Sequence, residues 1–168
     1  MKHQSLRRRI PRGALSQYGS KHPSPTVVIR RKHAKSIKTR LLRRIVSATI
    51  KLVFGTKDYE LSVALLGEEE MTKINKIFLG HDGSTDVITF DYSNGNLCGE
   101  ILICVDEAIT QARAFRASWQ SELVRYLIHG VLHLKGYTDK VAAARRKMQR
   151  EEERLLQKMA SIFDFRQL

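Results

Sequence analysis

Residues 129–140 read His129-Gly-Val-Leu-His133-Leu-Lys-Gly136-Tyr-Thr-Asp139-Lys140, or HGVLHLKGYTDK. They follow an apolar run (Leu123, Val124, Tyr126, Leu127, Ile128) that continues through Val131, Leu132 and Leu134. A helix apolar nearly all round is a buried helix, so the segment predicts a central helix ending near Leu134. On that helix, positions i and i+4 lie one above the other, and His133 stacks on His129. Gly136 sits where a helix stops, and the turn through Tyr137 and Thr138 can carry Asp139 back to the same point. Two imidazoles and one carboxylate would leave a fourth zinc position open, the arrangement of a catalytic site. The spacing alone also suits histidines that are merely satisfied within a core, since His has many structural uses. A zinc protease of the HExxH type needs Glu beside its first ligand, and here that slot is Gly130. Glycine takes no proton, although it lets substrate or another backbone approach closely.

Outward from this segment, the pattern alternates strands and helices. Thr26–Ile29 is β-branched and reads as a strand, and Ser36–Leu52 repeats apolar residues at helical spacing with Lys38, Arg40, Arg43 and Arg44 on its other sides. Tyr59–Leu66 is a second strand. Glu68, Glu69 and Glu70 then open a short helix through Met71, Ile74 and Phe78, acids suited to the positive end of a helix dipole. A loop at 80–84 leads to a third strand over Thr85–Tyr92, and the turn Ser93-Asn-Gly-Asn96 predicts a hairpin with Leu97–Cys104. Helices are expected over Val105–Arg116, from Ser118 or Trp119 to Leu134, and from Val141 to about Phe163. The class is α+β: a single domain with a mixed, roughly four-stranded sheet covered by helices, two histidines on one of them.

The chain has 168 residues, 42% apolar and 28% charged, enough to bury a core without disulfides. Arg and Lys interrupt every apolar run before membrane-spanning length, so a soluble protein is expected. Cys98 and Cys104 lie too far apart for a CxxC turn and read as reduced bystanders. The net charge of +13 is placed unevenly: residues 1–50 hold 14 basic residues and no acid, leaving 16 basic against 17 acidic residues beyond. Such asymmetry points to a polyanion, and the basic side of the helix at 36–52 fits simple solvation and RNA backbone contact equally well. Residues 1–24 lack periodicity and read as a flexible basic arm ahead of a domain over 25–168; they also share the Arg-rich, acid-free character of an organellar transit peptide.

His129, Gly130, Leu132, His133, Leu134, Gly136 and Tyr137 match the signature His-Gly-x-Leu-His-Leu-x-Gly-Tyr-Asp-His. Further matches follow in order: Leu61-Ser-Val63 with Asn75; Gly80, Asp82, Thr85, Asp86, Val87 and Phe90; Gly99-Glu-Ile101; Met148 with Glu152. In these motifs, over about residues 25–160, the chain resembles the YbeY family of zinc-dependent endoribonucleases, or ribosomal RNA maturation factors. The resemblance implies a mixed four-stranded sheet, one zinc per chain, and work on small-subunit ribosomal RNA ends and ribosome quality control with ribosomal RNA and assembly factors as partners. Two positions depart from it. Asp139 stands where the family has a third histidine, and Leu79 where it has an arginine. An Asp oxygen binds zinc at nearly the distance of a His nitrogen, whereas Leu79 supplies no charge to a phosphate.

The expected metal ligands are therefore His129, His133 and Asp139. His81 and Lys135 are the nearest candidates for a replacement cation, the catalytic group is otherwise unassigned, and no general base is evident. Thr85, Asp86 and Thr89 fit a cleft lining or core hydrogen bonding equally well. The leading expectation is a zinc-dependent, single-strand endoribonuclease in the cytoplasm, with an imported organellar protein as the other location. The alternative function is a ribosome-assembly factor that binds RNA and protein and whose zinc is structural.

Overall fold

The computed structural model describes residues 26–33 and 35–168 in full and the backbone of Gln4–Leu6. Apart from that short strand, the expected basic arm at 1–24 lies outside the described residues. The element order is β1 (Gln4–Leu6), β2 (Thr26–Lys32), α1 (Thr39–Phe54), β3 (Tyr59–Leu66), α2 (Glu68–Leu79), β4 (Val87–Asp91), β5 (Leu97–Cys104), α3 (Val105–Phe115), α4 (Trp119–Leu134) and α5 (Ala142–Ala160), with a last 3-10 turn at Phe165–Gln167. The four expected strands form one mixed sheet, and the three-residue β1 extends its edge beside β4, giving the order β1-β4-β5-β3-β2. Strands β2, β3 and β5 run parallel, while the hairpin partner β4 runs antiparallel to β5.

Strand β3 begins with alternating burial and ends fully buried, because helices cover both faces of the sheet there. On one face, Leu61, Val63, Leu65, Ile101 and Ile103 meet Leu42, Ile45, Val46 and Ile50 of α1 together with the apolar side chains of α4. On the other, Ala64, Leu66, Ile88, Phe90 and Leu102 pack under Met71 of α2. The larger core holds α4, whose residues from Tyr126 to Leu134 are all buried. Burial of Leu123, Leu127, Ile128 and Val131 alone contributes about 1.5–3 kcal/mol per side chain. The platform under both histidines thus belongs to the larger of the two cores. Among the described residues, no helix is long and apolar enough to cross a membrane.

Strands Tyr59–Leu66 and Leu97–Cys104 fall where the sequence predicts them. Helix α1 starts at Thr39 rather than Ser36, because Ile37 is already buried in the core and the Lys38 N–H donates to the Leu168 carbonyl at 3.0 Å. Strand β4 is shorter than Thr85–Tyr92. Asp86 Oδ1 accepts from the Val87 N–H at 2.9 Å and from the Thr85 hydroxyl at 3.1 Å, which ends the extended ladder.

Candidate metal centre

The helix carrying both histidines starts with a cap. Ser118 accepts a hydrogen bond from the Ser121 N–H, satisfying one of the free donors of the first turn. It ends at a Schellman turn: Gly136, at φ +97°, lets its N–H reach the His133 carbonyl at 2.9 Å and the Tyr137 N–H reach the Leu132 carbonyl at 3.0 Å. The left-handed conformation is what makes glycine the residue for that position. The chain then folds back towards the helix, and Asp139 returns beside the histidines.

His129, His133 and Asp139 each offer a ligand atom, and these atoms all lie within 4.8 Å of one another. Both histidines are buried and Asp139 is half-buried. The two rings meet edge to face with centroids 4.6 Å apart. Each imidazole is oriented through its Nδ1. His129 Nδ1 lies 2.7 Å from Glu152 Oε2 on α5, and His133 Nδ1 lies 3.1 Å from the Tyr137 carbonyl oxygen. A carbonyl can only accept, so His133 carries its hydrogen on Nδ1 and presents the lone pair of Nε2. A carboxylate against Nδ1 of His129 selects the same tautomer, the arrangement in which a histidine binds a metal most strongly. Two Nε2 nitrogens with one carboxylate oxygen form a donor set suited to zinc or a similar first-row ion. The residues present fit the metal that the motif implies.

Glu152 is itself held. Arg125 Nη1 lies 3.3 Å from Glu152 Oε1 and 3.1 Å from Glu153 Oε2, while its Nε lies 3.5 Å from Glu122 Oε1. Burial pushes the Glu122 carboxyl above its ordinary value against the pull of Arg125. Burial also opposes the charge on Arg125, but Glu153, Glu122 and Glu152 outweigh it and hold the guanidinium charged. Helix α4 therefore carries one polar stripe, Glu122, Arg125, His129 and His133, through an otherwise apolar surface. Neither Arg125 nor the tie from Glu152 to His129 was inferred from the sequence. A signal existed: Glu152 sits within the run Met148, Leu155, Leu156, Met159, whose spacing is that of a buried helical stripe. A carboxylate in an apolar stripe needs a buried partner.

Gly130, beside the first histidine, has a packing reason. A Cβ there would come 2.8 Å from Ile101 Cγ2 and 3.1 Å from the Thr89 hydroxyl. These two residues face each other across β4 and β5, so the close approach expected at Gly130 is made by the sheet. Thr89 is buried beneath α4, and Thr85 and Asp86 bond to the start of β4. Leu79 closes α2 and packs with Ile74 and Phe78 against the smaller core. His81 lies exposed in the following loop, and Lys135 places its Nζ 4.8 Å from the centroid of Phe54 on α1.

Comparison with known sequences turns this geometry into a family. The family model described as Endoribonuclease YbeY matches residues 28–160. The chain belongs to the YbeY endoribonuclease family. An Endoribonuclease YbeY of Parabacteroides distasonis is 38% identical over 118 residues, covering 68% of this chain and 83% of the relative. One of Chlorobium luteolum is 40% identical over 106 residues, covering 62% of this chain and 77% of the relative. A solution structure of a Thermotoga maritima protein superposes with a TM-score of 0.59 at 26% identity, covering 80% of this chain and 89% of that one. The YbeY resemblance read from the HGxLHLxGY segment holds, and the mixed sheet with both histidines on α4 agrees with it.

Proposed function

We propose that the chain is a zinc-dependent endoribonuclease that cuts single-stranded RNA, acting on small-subunit ribosomal RNA ends during ribosome maturation. The observation that carries this reading is the convergence of His129, His133 and Asp139 within 4.8 Å. A zinc ion held there would supply Lewis acidity to a phosphoryl oxygen and an acidified water. The chain's own residues do the rest. Glu152 and the Tyr137 carbonyl keep the proton of each imidazole on Nδ1 and aim Nε2 at the centre. Asp139, half-buried in the loop after α4, would add the negative ligand.

The charge distribution supports RNA as the substrate. Among the described residues, Lys38, Arg40, Arg43 and Lys51 are exposed along α1 and form no ion pair with a carboxylate. The lysines of α2, by contrast, are matched by acids, Lys73 to Glu69 and Lys76 to Asp82. Unneutralised cations attract a phosphate backbone without reading sequence. The proposed partners are ribosomal RNA and the assembling ribosome, and the proposed location is the cytoplasm.

The test is cleavage of a precursor small-subunit ribosomal RNA fragment by wild type and by His133→Ala, with bound zinc measured in both. Wild type is expected to hold about one zinc and cut, and the variant to do neither. Zinc-loaded wild type that cuts no better than His133→Ala would instead make the protein an assembly factor with a structural metal.

A further inference from the structure

A phosphodiester undergoing cleavage develops negative charge on its non-bridging oxygens, and catalysis needs a cation aimed at them. With two neutral imidazoles and one carboxylate as ligands, the centre's own positive charge is already partly spent on Asp139. Of the sequence candidates, Lys135 lays its ammonium over Phe54 and His81 lies exposed in the loop after α2, while Leu79, at the position of the family's arginine, is part of an apolar cluster.

Arg145, in the first turns of α5, meets this need for a cation. Its Nε donates to the backbone carbonyl of Asp139 at 3.1 Å, which fastens the guanidinium to the residue that supplies the carboxylate ligand. Arg145 is exposed, and among the described residues it pairs with no carboxylate. Of the other arginines nearby, Arg125 is paired with Glu122, Glu152 and Glu153 and Arg154 with Glu151 at 2.6 Å, and Arg145 differs from its exposed neighbours Arg146 and Arg150 in its bond to Asp139. A guanidinium has five N–H donors in a planar fork, and the Asp139 carbonyl takes one of them. The remaining donors on Nη1 and Nη2 are a ready match for two oxygens of one phosphate.

We infer that Arg145 is the phosphate-contacting residue of this centre, binding the non-bridging oxygens of the RNA phosphate while its Nε is anchored on Asp139. The assignment rests on the endoribonuclease reading for its catalytic part and on RNA binding for the rest. The anchor has a consequence for positioning. Because one hydrogen bond joins Arg145 to the backbone of Asp139, a phosphate gripped by its fork would lie close to that candidate ligand. Lys147, 5.6 Å from the Tyr137 ring centroid, adds charge beside it without a comparable tie to a ligand residue.

Three variants test this: Arg145→Ala, Arg145→Lys and, as a charge control, Lys158→Ala in the last turn of the same helix, about 20 Å along its axis. Arg145→Ala is expected to lower kcat/KM for RNA about 10²-fold or more, with bound zinc unchanged. Arg145→Lys should recover part of the loss, since it restores charge without the fork. Lys158→Ala should cut as wild type does. Affinity for a single-stranded oligoribonucleotide, measured by anisotropy across a salt series on zinc-loaded protein, gives a second readout. Loss of one phosphate contact should reduce the slope of log affinity against log salt by about 0.7. Arg145→Ala that cuts as wild type overturns the inference and leaves the endoribonuclease reading intact. Loss of zinc together with activity in Arg145→Ala also overturns it, making the residue an anchor for the Asp139 loop. Wild type that never cuts defeats the endoribonuclease reading, and the salt slope then decides Arg145 alone: an unchanged slope in the alanine variant rejects the phosphate contact, and a reduced one upholds it.

Discussion

The two halves of the candidate metal centre are held by different physics. His129 and His133 stand on a buried helix, oriented by a carboxylate from α5 and by a backbone carbonyl. Asp139 hangs from the loop between α4 and α5, half-buried, placed by a glycine turn and fastened through its own carbonyl to Arg145. The helical half is fixed by core packing and so is costly to move. The loop half is fixed by a few hydrogen bonds at the surface. The group thus combines a rigid pair of candidate ligands with a half-buried third, and two imidazoles with one carboxylate would leave a fourth zinc position open.

Mutations that strike one half at a time sharpen the contrast. The largest effect is expected from Glu152→Ala. It removes the partner of His129 Nδ1, which should weaken zinc binding about 10- to 100-fold by competition with a chelating dye. Glu152→Gln keeps an acceptor at that place and should lose less. Equal losses in the two would mean that the carboxylate fills space rather than setting the tautomer. Next comes Gly136→Ala in the loop half. A side chain at φ +97° costs about 1–2 kcal/mol, and the melting temperature should fall. Zinc affinity should fall with it, because the turn places both Asp139 and the Tyr137 carbonyl. The smallest net effect is expected from Gly130→Ala in the helical half. Overpacking against stiff, β-branched Ile101 costs about 1–3 kcal/mol, offset by about 1 kcal/mol of helix propensity. Denaturant unfolding should show a modest loss of stability. A gain would mean that Ile101 and Thr89 yield more easily than the packing suggests.

The same contrast governs what could be read from the sequence. The helical half was legible because its causes are periodic: two histidines four apart, an apolar run and a terminal glycine all act within one element. Strands β3 and β5 were legible for a similar reason, each a β-branched or apolar run bounded by turn residues. Helix α5 was placed, but its predicted end near Phe163 gives way to Ala160, since Phe163 packs into the core from beyond the last helical turn. What could not be read depends on elements meeting in space. Glu152 falls in the apolar stripe of Met148, Leu155 and Met159, which marks it as buried, but only laying α5 against α4 shows that His129 and Arg125 are what it meets. Arg145 lies in the plain run Arg145-Arg-Lys147, and only the returning loop sets it apart from its neighbours.

The claim on which the account turns is that the metal serves catalysis rather than the fold. The direct measurement is to strip the metal from the full-length protein with a chelator and follow far-ultraviolet circular dichroism and cleavage of a precursor ribosomal RNA fragment in the same sample, before and after zinc is returned. The account predicts that cleavage disappears while the helical signal stays, because α4 is held by the core and not by the ion, and that zinc restores cleavage. Unfolding on metal removal, or cleavage that persists without metal, would contradict it.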